Sequence, residues 1–407
     1  MENKIITKYW NKIDPLNIQD YIKVGGYDAL KKFIRDMDAR TALEEIKKSG
    51  LCGRGGAGFP TGQKMEMVAE KTEKKYFICN LDESEPGTYK DSSIVDNNPH
   101  MLLEGIIVSA LIVGAGKAFI YLNGHYEKQK EILAHALEQA REKEFLGKGI
   151  IGSCYDLDIE IFQGAGAYVC GEETALINSM EGNRGEPKLR PPYPTDSGLC
   201  GKPTCVNNAE TIASVPWIIV NGGEAYSKIG ASCSPGTKLY ILGGAVKKPG
   251  VVEAPTGTTI HKLIHEFGGG ISCGKELWFA QIGGASGRLI TENELDTPLT
   301  FSRDCPVPLG SGAVLIVDKS VNIYDLILSW TGFFRRESCG KCVPCREGTF
   351  RLHEIAGRLK DGEISERDKE ALEDILWTLN NTTFCPLGKF AATAMSDAVE
   401  KLGILGD

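Results

Sequence analysis

Cys339, Cys342 and Cys345 follow one another at two-residue gaps in Glu337-Ser338-Cys339-Gly340-Lys341-Cys342-Val343-Pro344-Cys345, and Cys385 comes 40 positions later. Three cysteines so spaced reach three corners of one compact cluster, and a remote fourth closes it. Thiolates in that number are the usual ligands of a [4Fe–4S] cube. Structural zinc more often shows two separated C-x2-C pairs, so zinc is the second reading and unligated thiols the third. A cluster of the first kind moves electrons.

Three other stretches carry chemistry. Gly53-Arg54-Gly55-Gly56-Ala57-Gly58 formally matches G-x-G-x-x-G. The dinucleotide fingerprint needs a strand before it, whereas residues 41–49 have helical spacing, so a flexible loop is the plain alternative. The continuation Phe59-Pro60-Thr61-Gly62-Gln63-Lys64 favours binding. Glycines admit close backbone approach to a phosphate or a ring, and Arg54 and Lys64 supply charge. Asn80-Leu81-Asp82-Glu83-Ser84-Glu85-Pro86-Gly87 holds three carboxylates. They are a solvated turn or a set of acceptors for ribityl or ribose hydroxyls. In Gly164-Ala165-Gly166-Ala167-Tyr168-Val169-Cys170-Gly171-Glu172-Glu173-Thr174 a helix opens, where the dipole alone favours Glu172 and Glu173. Small residues beside Tyr168 also suit a flat ring laid against backbone. The remaining cysteines (Cys52, Cys79, Cys154, Cys170, Cys200, Cys205, Cys233, Cys273 and Cys305) lack ligand spacing and read as buried small hydrophobes. None of the six histidines is assigned to a metal. Neither a Ser–His–Asp arrangement nor a P-loop is present.

The elements that must position these residues follow from periodicity. Residues 1 to about 70 read as short amphipathic helices ending in the glycine-rich loop. From Lys75 strands at 76–79, 118–122 and 157–162 alternate with helices at 101–113 and 127–143. That alternation implies a parallel sheet whose ligands sit beyond the carboxyl ends of its strands, where the acidic and Tyr168 segments fall. Near Gly236 the character changes to strands at 238–243, 250–253 and 278–280 around a helix at 260–267, a small α+β module of the β-grasp kind. From Asn322 the chain reads as four helices, 322–336, 346–360, 365–380 and 387–402, with Ser365 and Asp368 as a capping box. An up-down-up-down bundle puts its first and third loops at one end, which brings Cys385 to the other three cysteines. The expected fold class is therefore α/β multidomain. Its parts are a helical segment and loop (1–70), an α/β domain with a parallel sheet (71–232), a β-grasp domain (233–320) and a four-helix bundle with an iron–sulfur cluster (321–407).

The 407 residues allow two or three domains. A net charge of −8 argues against nucleic acid as a partner. No signal peptide is visible, and the apolar run 101–114 is too short to span a bilayer and contains Glu104, so no membrane insertion is expected. Clustered cysteines in a long chain point to a reducing, cytoplasmic compartment.

Taken together, GRGGAGFPTG, NLDESEPG, GAGAYVCGEETAL, GKPTCVNNAET, ESCGKCVPCREG and FCPLG resemble the FMN- and NADH-binding flavoprotein subunit of NADH dehydrogenase complex I. Relatives of that subunit occur in NAD-linked [FeFe]-hydrogenases and formate dehydrogenases. The resemblance implies that 71–232 is a Rossmann-like flavin domain, with FMN contacts at Gly53, Arg54, Gly55, Lys64, Asn80, Asp82, Glu83, Tyr168, Gly171, Glu172, Asn207 and Asn208. It implies NAD(H) near Gly56, Phe59, Glu85 and Glu173, and a [4Fe–4S] cluster on Cys339, Cys342, Cys345 and Cys385. Two adenine-stacking aromatic positions of the family hold Met67 and Tyr193, and a family lysine position holds Arg190. Glu85 and Glu173 near the adenosine ribose would repel a 2′-phosphate, which favours NADH over NADPH. The implied activity is hydride transfer between NAD(H) and FMN, then single-electron transfer to the cluster, with no acid–base residue required. Without a thioredoxin-like domain or a ferredoxin tail in the sequence, the other redox centres are expected on partners. These are a thioredoxin-like [2Fe–2S] subunit and a larger iron–sulfur or hydrogenase catalytic subunit. A cytoplasmic NAD-linked hydrogenase is the expected assembly, with complex I or formate dehydrogenase as alternatives. The rival of another class is an iron–sulfur scaffold without flavin.

Overall fold

The computed structural model describes residues 4–272, 274–302, 305 and 307–406. Four strands, β1 (Tyr76–Leu81), β2 (Lys117–Leu122), β3 (Asp158–Gln163) and β4 (Thr204–Asn208), form a sheet in the order β3-β2-β1-β4. All pairings are parallel, with Asn80 opposite both Tyr121 and Asn208. The chain steps from β1 to β2 to β3, then returns to the far side of β1. The order therefore reverses between β1 and β4, and their carboxyl ends frame the crevice where such sheets bind ligands.

Each helix near the crevice has a local cause. Helix α1 (Ala39–Ser49) starts where the Asp38 side chain accepts from the Thr41 amide and stops at Gly50, whose φ is +65°. Helix α2 (Thr61–Ala69) leaves the glycine-rich loop through Pro60. Helix α3 (Lys90–Asn97) follows the acidic turn. Helix α4 (Pro99–Val113) is apolar all round and buried along its whole length, as such a helix must be. Its one carboxylate, Glu104, accepts from Tyr21 Oη at 2.6 Å and from the amides of Tyr27, Ala29 and Leu30, so it caps a neighbouring helix. Helix α5 (Glu127–Glu142) covers the sheet beside it, and α6 (Glu173–Met180) begins at the Tyr168 segment.

The second sheet contains β5 (Thr237–Gly244), β6 (Gly250–Pro255), β7 (Leu277–Ile282), β8 (Arg288–Ile290) and β9 (Ala313–Asp318), in the order β8-β7-β9-β5-β6. Only β9 and β5 run parallel. The expected helix at 260–267 is one α-turn (Ile260–Lys262) followed by a π-helical turn (Leu263–Phe267). This sheet reaches back to the start of the chain. The Glu253 carboxylate accepts from the amides of Ile5, Ile6 and Thr7 at 2.9, 3.0 and 2.7 Å.

The bundle consists of α7 (Ile323–Glu337), α8 (Val343–Asp361), α9 (Glu366–Thr382) and α10 (Pro386–Leu402). The Ser365–Asp368 capping box is formed, and α8 and α10 end at Gly362 and Gly403 in the left-handed region. Ile327, Phe334, Leu352, Ile355, Leu379 and Met395 fill its interior. Arg288 ties β8 to α10 through Asp397, with Nε to Oδ2 at 2.8 Å. Among the described residues no helix is long and apolar enough to cross a membrane.

Candidate functional site

The glycine-rich loop, the acidic turn after β1, the Tyr168 segment after β3 and the end of β4 surround one cleft of about 1770 Å³. Pockets for one drug-sized ligand measure about 300–1,000 Å³, so this cleft has room for two, one beside the other. Its remaining walls come from the second sheet (Gly283, Ser286, Gly310, Ser311) and from α10 (Cys385, Leu387, Phe390).

Gly53, Gly55, Gly56, Phe59, Lys64, Asn80, Asp82, Glu83, Glu85, Tyr168, Gly171, Glu172, Glu173, Arg190, Tyr193, Asn207 and Asn208 all line the cleft, as does Met67. Arg54 does not match the expectation that it supplies charge there. Its side chain is fully buried and bonds the carbonyls of Thr237, Cys52 and Pro235 and the Tyr226 hydroxyl. The guanidinium fastens the loop to the second sheet. A five-donor fork suits that task. The loop itself needs its glycines: Gly58 has φ +64° and a Cβ there would lie 2.9 Å from Phe301, while one on Gly55 would lie 3.1 Å from Asn208.

The acidic turn is held in place by its own hydrogen bonds. Asn80 Oδ1 accepts from the Asp82 amide at 3.0 Å, and Asn80 Nδ2 donates to the Gly171 carbonyl at 3.0 Å. Ser84 and Asn123 both donate to Asp82 Oδ1 at 3.2 Å. Its other oxygen, Oδ2, is buried without a hydrogen-bond partner. Burial raises the Asp82 carboxyl to about 7. Glu172 caps α6 through Oε2, from the Thr174 and Ala175 amides, and its buried Oε1 has no hydrogen bond. Arg190 Nη1 stands 3.7 Å from that atom. Glu173 pairs with Lys64 at 3.0 Å and Arg190 at 3.4 Å. Glu85 accepts from Tyr168 Oη at 2.7 Å and from the Ser286 amide at 2.9 Å, and burial raises its carboxyl.

Cys385 lines this cleft, and Cys339, Cys342 and Cys345 gather near it. Cys342 and Cys385 are the residues that cap α8 and α10, and Cys345 lies in the first turn of α8, so two helix amino ends face one place. That favours negative charge there. Burial, with Cys339, Cys342 and Cys385 nearby, raises the Cys345 thiol to about 12. Cys385 is raised to about 11 by burial, with Cys339, Cys342 and Glu172 adding to it. Arg184 donates to the Cys339 carbonyl and Lys341 Nζ to the Pro187 carbonyl at 2.6 Å, which clamps the cysteine loop to the segment leading to Arg190. Four thiolates on one zinc at about 2.3 Å would pack their sulfurs into mutual contact. No three His, Cys, Asp or Glu among the described residues close around a single ion. Two orphaned carboxylate oxygens, a glycine cradle and four convergent thiols thus fit a hydroxyl-bearing flavin nucleotide and a [4Fe–4S] cluster.

Of the other cysteines, Cys79, Cys170 and Cys205 are buried, as expected. Cys154, Cys200 and Cys233 are exposed and Cys52 and Cys305 half-buried, because they sit in turns and loop ends rather than in strands. Cys273 lies outside the described residues. Lys90, Asp91 and Ser286 line the cleft without having been expected there. Lys90 and Asp91 stand only three residues beyond the acidic motif, at the start of a helix after a strand, and that position was the available signal.

The Nuo51 FMN-binding domain matches residues 46–217, the SLBB domain residues 238–287 and the NADH-ubiquinone oxidoreductase-F iron-sulfur binding region residues 325–403. The F-type subunit of NADH-quinone oxidoreductase from Aquifex aeolicus (strain VF5) is 44% identical over 388 residues, covering 95% of this chain and 89% of that one. The NADP-reducing hydrogenase subunit HndC of Solidesulfovibrio fructosivorans is 39% identical over 389 residues, covering 95% of this chain and 79% of that one. A crystal structure of NAD+-reducing [NiFe]-hydrogenase in the H2-reduced state superposes with a TM-score of 0.86 at 31% identity. That match covers 98% of this chain and 66% of the longer hydrogenase chain. This chain belongs to the family of F-type subunits of NADH-quinone oxidoreductase, NADH dehydrogenase-type flavoproteins that carry FMN and a [4Fe–4S] centre.

Proposed function

We propose that this chain takes hydride from NADH and delivers electrons singly through Cys339, Cys342, Cys345 and Cys385 to a partner subunit. One observation carries the reading: Cys385 lines the same cleft as the glycine-rich loop and the acidic turn. FMN, when bound, supplies conversion of a two-electron hydride into single electrons. The protein supplies position and electrostatics. Asp82 Oδ2 and Glu172 Oε1 would accept hydroxyls of the flavin side chain, and the backbone of Gly53, Gly55 and Gly171 would admit the ring. Tyr168, fixed by Glu85, would help hold it. Lys64, Asn80, Glu83, Asn207 and Asn208 complete the flavin side. Gly56, Phe59, Met67, Glu85, Glu173, Arg190 and Tyr193 form the nucleotide side. Glu173 meets the adenosine ribose and disfavours a 2′-phosphate.

The partners in this reading are a thioredoxin-like [2Fe–2S] subunit and a larger iron–sulfur subunit of a cytoplasmic, NAD-linked hydrogenase. The likeness to the [NiFe]-hydrogenase chain supports it. Twelve unpaired cysteines among the described residues support a reducing compartment. A respiratory assembly is the second reading, favoured by the higher identity to the Aquifex relative. Anaerobic titration of the reconstituted chain with NADH and, separately, NADPH tests the shared core. Bleaching of flavin absorbance by NADH alone is expected. A bound flavin that neither nucleotide bleaches would refute the hydride step. Affinity purification from the native host separates the two assemblies: a co-purifying hydrogenase subunit supports the first, and membrane-embedded quinone-reducing subunits the second.

A further inference from the structure

Five ionisable groups lie buried beneath the cleft. Glu83 accepts from the Asp91 and Ser92 amides at 2.9 and 3.0 Å, where α3 begins, and from Tyr126 Oη at 3.0 Å. Asp91 accepts from Lys90 Nζ at 2.7 Å. Lys90 also stands 3.2 Å from Glu210, which takes Lys238 Nζ at 2.6 Å. Glu83 is 9% exposed and the other four 3% or less. Three carboxylates thus share two ammoniums. Asp91 and Glu210 are paired, and Glu83 makes no ion pair among the described residues.

That surplus carboxylate lines the cleft. Burial raises its carboxyl to about 7, and Asp91 adds to this, while Lys90 and the two amides oppose it. Half-buried Tyr126 leads from it toward solvent. Its neighbour Asp82 differs: a bound hydroxyl would satisfy the orphaned Asp82 Oδ2, whereas both Glu83 oxygens already accept protein donors.

We propose that Glu83 is the proton-holding residue of the cleft: it takes one proton from water when two electrons enter a flavin bound there and returns it when they leave. The proposal rests on the FMN and NADH reading above. A hydride brings two electrons and one proton from the dihydronicotinamide, which leaves as its cation, and one negative charge remains in the cleft. The proton taken from water forms the carboxyl O–H of Glu83 and restores neutrality. When the electrons pass singly to an acceptor, that O–H breaks and its proton returns to water together with the proton that the hydride brought. A new negative charge close to a buried carboxyl raises its pKa by about a unit or more, enough to drive uptake at a group already titrating near neutrality.

The test uses the full chain loaded with FMN, reduced anaerobically by one equivalent of NADH in weakly buffered indicator dye at about pH 8. About half a proton is taken up per flavin bleached, and in Glu83→Gln the uptake falls by at least half. The reduced-minus-oxidised infrared spectrum gains a carboxylic-acid band that the variant lacks. Equal uptake in both proteins, with bleaching intact, overturns the proposal alone. A native chain that NADH fails to bleach overturns the underlying reading as well. Should Glu83→Gln not hold flavin, Asp91→Asn removes the like charge beside Glu83 and shifts the uptake profile to lower pH by about one unit. An unshifted profile overturns the proposal.

Discussion

Around the cleft, polar side chains are locked by backbone groups and by one another, whereas the four thiols stand on two loops and two helix tips. Asp82, Glu83, Glu85 and Glu172 each accept fixed protein donors at 3.2 Å or less. The sulfurs have slighter support, such as Ser338 Oγ at 3.2 Å from Cys345 Sγ. The cleft is built before its ligands arrive. The cysteine corner needs its ligand to hold four sulfurs that repel one another once ionised. A rigid site keeps its geometry on losing its cofactor, and a corner made of loops does not.

The largest effect expected is from Cys385→Ser, which removes essentially all cluster iron and its visible absorbance while NADH still bleaches the flavin. Iron analysis and anaerobic titration check this, and loss of flavin along with iron would break the distinction. Next comes Arg54→Met, which strands three carbonyls inside the molecule. It lowers stability by about 3 kcal/mol in urea unfolding, and a loss below about 1 kcal/mol would make that anchor dispensable. Asp82→Asn weakens FMN binding by about 10- to 100-fold, as loss of a hydrogen bond to a charged group does. Fluorescence titration with free FMN reads it.

The same carboxyl gives a pH dependence of defined sign. Burial raises Asp82 from the ordinary carboxylate range to about 7. Between about pH 4 and pH 7 the folded flavin-free chain therefore binds a proton that the unfolded chain has released. Its stability falls as pH rises through that window, and Asp82→Asn flattens the fall. Urea midpoints at both ends of the window measure it, and an unchanged slope in the variant would place the titration elsewhere. The smallest effect is Met67→Phe. Met67 is 38% exposed on the cleft wall, and an aromatic ring there tightens NADH by about two- to tenfold through stacking.

What the sequence disclosed and what it hid divide by distance along the chain. The acidic turn and the Tyr168 segment were legible because strand, turn and ligand-facing residues are contiguous, and a parallel sheet puts all its strand ends together. Cys385 was legible through topology, since alternate loops of an antiparallel bundle share an end. Arg54 was not. A glycine-rich loop can turn its one long side chain either way, and two of the three carbonyls that capture it lie more than 180 positions later. Lys90 resembled an ordinary charge in a helix first turn. Its partner Glu210 belongs to another strand end, and nothing local announces a pair at 3.2 Å. The π-helical turn at Leu263–Phe267 was equally hidden, because its apolar spacing passes for α.

The Glu253 carboxylate that gathers the amides of Ile5, Ile6 and Thr7 imposes an order on synthesis. Thr7 and Glu253 are 246 positions apart. At about 5–20 residues per second, a ribosome needs about ten to fifty seconds to go from one to the other. By the end of that interval the first parallel sheet is complete, while Ile5, Ile6 and Thr7 still lack the carboxylate that gathers them. These early residues therefore settle only after the second sheet has emerged. Chaperones meet a nascent chain in which this segment stays open until then.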